Sequence, residues 1–234
     1  MKDETRPQPL YRAVILDMDG TLLDSNAAHV KAWVEALRAH GHEVEEKDIW
    51  PCIGMGGDNL LPAVVGISKD SPEGKEISEH RGEIFKSRYV PQLKPFPGVR
   101  PLLERFRDEG LKLVIATSSP KDEVEKAIDI VGVKDLLQDA TSASDAGRSK
   151  PDPDVVAAAL ERLKMTPGEV VMLGDTPYDI QAAGKVGIGV IAFRCGGFED
   201  PDLKGALAIF DGPADLLARW EESPLAKVAQ LNAT

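Results

Sequence analysis

An α/β protein with a doubly wound parallel sheet and a helical insertion after its first strand is what this 234-residue sequence predicts. Three observations predict it: short apolar runs bounded by Gly, Pro or charged residues, helical periodicity between them, and one stretch where the alternation fails. The runs are Ala13–Leu16, Leu113–Ala116, Val170–Leu173, Val190–Phe193 and Leu207–Phe210. Continuous apolar runs of this length suit strands covered on both faces, as in parallel sheets. Between them, Val99, Leu102, Leu103 and Phe106 share one helical face, with Gly110 where a C-terminal cap is expected. Val124, Ala127, Ile128 and Val131 repeat the pattern, followed by Gly132. Val155, Val156, Ala159, Leu160 and Leu163 repeat it again, with Asp152 expected as N-cap and Pro153 at the first helical position. Strand–helix alternation of this kind implies right-handed crossovers and a Rossmann-like sheet.

From about Asp24 to Pro91 the sequence has helical period and no strand pattern. Val30, Trp33, Val34 and Leu37 form a stripe that Gly41 ends. Gly54-Met55-Gly56-Gly57 is a turn, the charge-rich stretch from Lys69 to Glu83 reads as a solvated face, and Lys94–Gly98 returns the chain to the sheet. The expected division is therefore residues 1–23 and 93–234 as the α/β core and 24–92 as a helical module.

With 28 Lys+Arg against 39 Asp+Glu, the chain carries a formal net charge of −11. That balance, with no basic block, argues against nucleic acid as a partner. No apolar run approaches the ~20 residues that span a bilayer, and the polar start has no signal-peptide core. The two cysteines, Cys52 and Cys195, read as reduced thiols, so a cytoplasmic protein without a membrane partner is expected.

Ligands of open α/β sheets bind beyond the carboxyl ends of the strands. The residues there are Asp17-Met18-Asp19-Gly20-Thr21 after the first run, Thr117-Ser118-Ser119 after the second, and Gly174-Asp175-Thr176-Pro177-Tyr178-Asp179 after the third. Lys150 stands in a loop just before a helix. This set points to phosphoryl transfer. Asp17 and Asp175 are hard oxygen ligands suited to Mg²⁺, which screens the carboxylates from a phosphate dianion. One carboxylate can attack phosphorus, and a second, two residues on, can protonate the leaving oxygen and then deprotonate water. Thr117 and Lys150 complete a clamp on developing charge, and Gly20 permits close backbone approach. Ser118 and Ser119 either touch phosphate or cap the helix beginning near Pro120. His29, four residues before Trp33, is a candidate for substrate contact, while Trp33 reads as packing within the helical module.

In order and spacing these motifs resemble the haloacid dehalogenase-like (HAD) hydrolase superfamily, in the subgroup with a helical cap after the first strand. Asp17-Met18-Asp19-Gly20-Thr21, Thr117, Lys150 in Ser-Lys-Pro-Asp-Pro-Asp, and Gly-Asp-x-x-x-Asp at 174–179 match its four motifs. The resemblance implies Asp17 as nucleophile and Asp19 as general acid/base. It implies Mg²⁺ held by Asp17, the Asp19 backbone carbonyl and Asp175, with Asp179 either near the metal waters or orienting Lys150. It further implies a Mg²⁺-dependent phosphatase of a small phosphorylated metabolite, phosphoglycolate-like or sugar-phosphate-like, working as a monomer or weak dimer.

Related activities are separated by single residues. Family dehalogenases lack the acid at the Asp19 position, and phosphonoacetaldehyde hydrolases carry alanine there, so Asp19 argues against both. β-Phosphoglucomutase relatives share the acid pair and a His-x-x-x-Trp like His29–Trp33. They grip a second phosphate with a basic residue after the glycine turn, where this chain has Gly57 and Asp58. A receiver-like signalling module would be about half as long and would lack Asp19, and a non-catalytic phosphate-binding protein would not need all four motifs intact.

Overall fold

A computed structural model of the protein describes residues 10–226. Six parallel strands form one sheet in the order β3-β2-β1-β4-β5-β6, comprising β1 Ala13–Leu16, β2 Lys112–Ala116, β3 Asp139–Thr141, β4 Val170–Gly174, β5 Gly189–Phe193 and β6 Ala208–Phe210. β1 lies at the centre, and all four of its residues are buried. Successive side chains point to opposite faces. Val14, Leu16, Leu113, Ile115, Val171 and Leu173 enter one core with helices α5 (Val99–Asp108) and α6 (Lys121–Val131). Ala13, Ile15, Val114, Ala116, Val170 and Met172 enter the other, with α7 (Asp154–Leu163) and α8 (Pro177–Lys185). Helix α9, Pro213–Ala218, returns against α5. The doubly wound expectation is thus met.

Two local expectations need correction. A sixth strand, β3, is present where none was expected: it has only three residues, sits at the sheet edge and carries Asp139, so it shows no apolar run. Helix α7 starts at Asp154 with Pro153 as its N-cap rather than with Asp152. The Asp152 carboxylate instead pairs with Arg148 at 3.3 Å.

Residues between the first two strands fold as helices α1 (Asn26–Ala39), α2 (Glu46–Ile49), α3 (Gly57–Val65) and α4 (Pro72–Ile84), then a π-helical turn over Phe85–Tyr89. Val30, Trp33, Leu37, Ile49, Leu60, Ile77 and Phe85 are among the side chains of their separate apolar core. The chain leaves and re-enters the sheet through two short extended segments paired by Asp24 N–H to the Lys94 carbonyl and Phe96 N–H to the Leu22 carbonyl, both 3.0 Å. The polar stretch read as a solvated face is not uniformly exposed: Gly74, Ile77, Arg81 and Gly82 form the buried side of α4. Charge density hid this inward face, which Ile84 completes. Among the described residues, no helix is long and apolar enough to cross a membrane.

Candidate active site

The register of the three central strands assembles the site. Leu16 pairs with Ile115 on one side and Leu173 on the other, so β2, β1 and β4 end nearly level. Asp17, Thr117 and Asp175 therefore emerge beside one another, at the point where the connections turn to opposite directions. Asp17, Thr117, Lys150, Asp175 and Asp179 are all buried.

Lys150 is almost fully enclosed, and its Nζ donates to Asp17 Oδ1 at 2.5 Å and Asp179 Oδ1 at 2.7 Å. Burial opposes the charged lysine, but the two carboxylates outweigh it and raise its pKa, so it stays an ammonium. Asp179 Oδ2 accepts from Thr176 N (3.0 Å), Thr176 Oγ1 (2.7 Å) and Asp175 N (3.2 Å), a capping box at the start of α8. Asp179 is consequently fixed by one oxygen and holds Lys150 with the other. The Thr21 hydroxyl reaches Asp175 Oδ1 at 2.7 Å. Asn26 spends both amide hydrogens, on Asp175 Oδ2 at 2.9 Å and on the Gly196 carbonyl at 2.8 Å. Gly20, at φ +79°, sits so near Asn26 and Asp175 that a Cβ would overlap both. Its lack of a side chain lets the turn after β1 lie against Asp175.

A cavity of about 280 Å³ opens above these groups, between the sheet edge and the helical insertion. Asp17, Asp19, His29, Thr117, Ser118 and Lys150 all line it, as do Trp33 and the Gly54–Gly57 turn. Asp19 accepts three hydrogen bonds: Ser25 Oγ at 2.6 Å and His29 Nε2 at 2.9 Å on Oδ1, and Ser119 Oγ at 2.7 Å on Oδ2. Ser119 is therefore tied to the second acid rather than to the α6 N-cap, which is Pro120. Ser118 Oγ accepts the Lys150 N–H at 3.3 Å. Thr117 Oγ1 accepts the Ser119 N–H at 3.1 Å, and the Thr117 N–H donates to Thr141.

The His29 tautomer follows from its other neighbour. Arg81 NH2 lies 2.5 Å from His29 Nδ1, and a guanidinium can only donate, so Nδ1 accepts and Nε2 carries the hydrogen given to Asp19. Arg81 NH1 donates in turn to Glu123 Oε1 at 2.7 Å and Oε2 at 3.0 Å, and its guanidinium carbon stands 5.3 Å and 5.0 Å from the Trp33 and Phe85 rings. A relay Glu123–Arg81–His29–Asp19 thus joins the first turn of α6 to β1 through two helices of the insertion. Burial works against the charged form of Asp19. The attraction of His29, its hydrogen bond and the Ser25 and Ser119 hydroxyls outweigh that and hold the carboxyl well below the usual range.

Since the Arg81–Glu123 pair is buried, removing one partner strands the other charge. Glu123→Ala should lower unfolding free energy by about 3–5 kcal/mol in urea titration, and loss of less than about 1 kcal/mol would show the pair to be solvated.

A cation fits this donor set. Asp17, Asp175 and Asp179 offer carboxylate oxygens within 4.8 Å of one another, all buried. Burial, the Asp179 charge and the Asp19 charge raise Asp17 to about 7 against the pull of Lys150. Burial and the charges of Asp17 and Asp179 raise Asp175 well above the usual carboxylate range. Such a site binds protons because it holds more negative charge than Lys150 offsets, and a hard divalent ion answers the same need.

Sequence reasoning missed Asn26, Arg81 and Glu123. Asn26 carried no signal beyond its place at the start of a helix, and Arg81 and Glu123 were charges among charges. Arg194 pairs on the surface with Asp200 at 2.6 Å and Asp211 at 2.7 Å.

The fold and this carboxylate–lysine centre are those of a phosphotransfer-type α/β hydrolase. The family model for haloacid dehalogenase-like hydrolases matches residues 14–193, and the chain belongs to that family. It is 29% identical over 211 residues to N-acetylmuramic acid 6-phosphate phosphatase of Pseudomonas aeruginosa, covering 88% of this chain and 93% of that one. It is 27% identical over 232 residues to phosphoglycolate phosphatase of Rhodospirillum rubrum, covering 95% and 96%. Among solved structures, a hydrolase from Pseudomonas syringae superposes with a TM-score of 0.84 at 30% identity, over 90% of this chain and 98% of that one. β-Phosphoglucomutase from Clostridium difficile, at 19% identity and a TM-score of 0.80 over 92% and 97%, shares the fold.

Proposed function

We propose that this enzyme is a Mg²⁺-dependent phosphomonoesterase that hydrolyses a small phosphorylated metabolite through an aspartyl-phosphate on Asp17. The observation that carries the reading is the pairing of two unlike carboxyls on one cavity: Asp17 against the Lys150 ammonium, Asp19 fixed by His29, Ser25 and Ser119. Asp17 attacks phosphorus as the ester P–O bond breaks, and Asp19 gives its proton to the departing alkoxide. Asp19 then takes a proton from water, whose oxygen attacks phosphorus, and the Asp17–phosphorus bond breaks to release inorganic phosphate. The proton count closes over the cycle. Without substrate Asp19 is held as a carboxylate; a phosphate dianion in the cavity favours its protonated form, which is the form the first step needs.

Lys150 and the Thr117 hydroxyl offset charge on the phosphoryl oxygens, and Asp179 keeps Lys150 in place. Asp17, Asp175 and the Asp19 carbonyl would hold Mg²⁺, with Asp179 at its edge; when bound it supplies a positive charge that draws the phosphoryl group to Asp17. The residues around 22–24 and 94–96 would serve as the pivot on which the helical module, acting as a cap over residues 24–92, opens and closes.

Relatives named for N-acetylmuramic acid 6-phosphate and phosphoglycolate support a sugar-phosphate-like or phosphoglycolate-like substrate, and a cavity of about 280 Å³ suits a molecule of that size. Asp58, which follows the glycine turn, bonds the Ser149 backbone instead of presenting a cation to the cavity, which favours hydrolysis over phosphosugar transfer. The reading includes a cytoplasmic monomer or weak dimer without nucleic-acid or membrane partners.

Metal binding is testable without a substrate. Asp17 has a folded pKa of about 7 against an ordinary 3.8, so between those values the metal-free folded protein binds more protons than the unfolded chain. Its stability contribution therefore falls as pH rises through that window. Mg²⁺ displaces those protons, so Mg²⁺ at about one hundred times its pH 8 Kd should stabilise the protein by about 2.7 kcal/mol at pH 8 and raise Tm less at pH 5.5. A Tm increment that is equal at both pH values would contradict the assignment of Asp17 and Asp175.

A further inference from the structure

The loop that carries Lys150 is held by the cap. Asn59 Nδ2, in the first turn of α3, donates to the Ser149 carbonyl at 3.1 Å and the Lys150 carbonyl at 3.2 Å. Its neighbour Asp58 accepts the Ser149 N–H on Oδ2 at 3.0 Å. Two consecutive cap side chains therefore bond three backbone groups on consecutive residues, ending at the residue whose ammonium meets Asp17. The core holds the Lys150 side chain but gives the backbone of these two residues little: Ser118 Oγ accepts the Lys150 N–H at 3.3 Å, and Asp152 N–H reaches the Ser149 carbonyl at 3.0 Å.

The approach is close as well as polar. A Cβ on Gly56 would overlap the Ser149 hydroxyl, so the turn before α3 seats directly on the loop. Asp58 Oδ1 is buried with no hydrogen-bond partner, which means that this carboxylate accepts desolvation to make its one bond to Ser149. No core residue among those described replaces Asn59 on the Lys150 carbonyl. If the cap lifts, the Ser149 N–H and the Lys150 carbonyl lose these partners, and the Ser149 carbonyl keeps only the Asp152 N–H.

We propose that Asp58 and Asn59 are positioning residues that set the Ser149–Lys150 backbone when the cap closes, so that Lys150 is brought to its working place by closure. Fixed docking of the cap on this loop couples closure over substrate to assembly of the charge clamp below it. The inference rests on the phosphatase reading for what Lys150 does, and on geometry alone for what holds it.

The experiment compares wild type with Asn59→Ala, Asn59→Asp and Asn59→Gln, all full length with Mg²⁺. Hydrogen exchange is followed across residues 146–153, with and without inorganic phosphate. Phosphatase kinetics are measured in parallel. Exchange at the Ser149–Lys150 amides should quicken at least about tenfold in the Ala and Asp variants, and phosphate should protect those amides only where the donor is kept. kcat should drop about 10- to 100-fold with KM changed less, most in the Asp variant, which sets a carboxylate against two carbonyls, and Gln should recover part of the loss. Asp58→Ala, which removes the acceptor of the Ser149 N–H, should quicken Ser149 exchange directly and stands in should an Asn59 variant fail to fold. Unchanged loop exchange, or a kcat untouched while only KM rises, overturns the proposal. If wild type hydrolyses no phosphomonoester, the exchange data still decide the clamp, and the phosphatase reading alone fails.

Discussion

Asp17→Asn should retain the fold and lose turnover by about 10⁴-fold or more, because it removes the attacking oxyanion and nothing nearby can replace it. Asp19 is two residues away but is occupied by three donors, Asp175 is held by Thr21 and Asn26, and Asp179 by the capping box. The amide keeps the shape of the side chain, yet offers Lys150 a weaker partner. Removing an ionised carboxylate from an electronegative cluster also relieves repulsion, so Tm measured in EDTA at pH 8 should not fall. Loss of activity with an unchanged or higher Tm identifies chemistry; loss of both would mean that Asp17 serves the fold instead.

Asp19→Asn carries the second large effect, about 10²- to 10⁴-fold in kcat, and its form is diagnostic. With an alkyl phosphate the leaving oxygen needs a proton and the first step slows. With para-nitrophenyl phosphate the leaving group needs little help, so Asp17 should still be phosphorylated while attack by water, now without a base, lags. A burst of about one nitrophenolate per enzyme and a protein heavier by one phosphoryl group should be seen. Equal losses on both substrates, with no burst, would remove Asp19 from the acid/base role. Arg81 and His29 act on the same step from further out, since the tautomer that donates to Asp19 is set by the guanidinium on the other ring nitrogen.

The sheet and the centre of the site were legible in the sequence because both depend on local, repeated signals. Apolar runs bounded by turn residues mark buried strands, and the residue after each run falls at the ligand edge without further assumption. Asp17, Thr117 and Asp175 needed only that rule, whereas Lys150, in a loop before a helix, was placed by the family motif it matches. Edge strand β3 was not legible, since three residues with one aspartate make neither an alternation nor an apolar run. Arg81 and Glu123 were hidden for a different reason. A buried ion pair is recognised by its partner, and here the partners are 42 residues apart with a solvent-like composition around each. Asn59 and Asp58 similarly acquire meaning only when the turn before α3 meets a loop some 90 residues later. His29 lay between: its spacing from Trp33 placed it on a helix, but only tertiary packing turned it toward Asp19.

The most direct test of the central claim is release of phosphate from para-nitrophenyl phosphate and a panel of phosphorylated metabolites, with and without Mg²⁺, for wild type and Asp17→Asn. The account predicts release by wild type that EDTA abolishes and Mg²⁺ restores, and none above background from Asp17→Asn. Release that persists in EDTA, or that Asp17→Asn sustains at the wild-type rate, would contradict it.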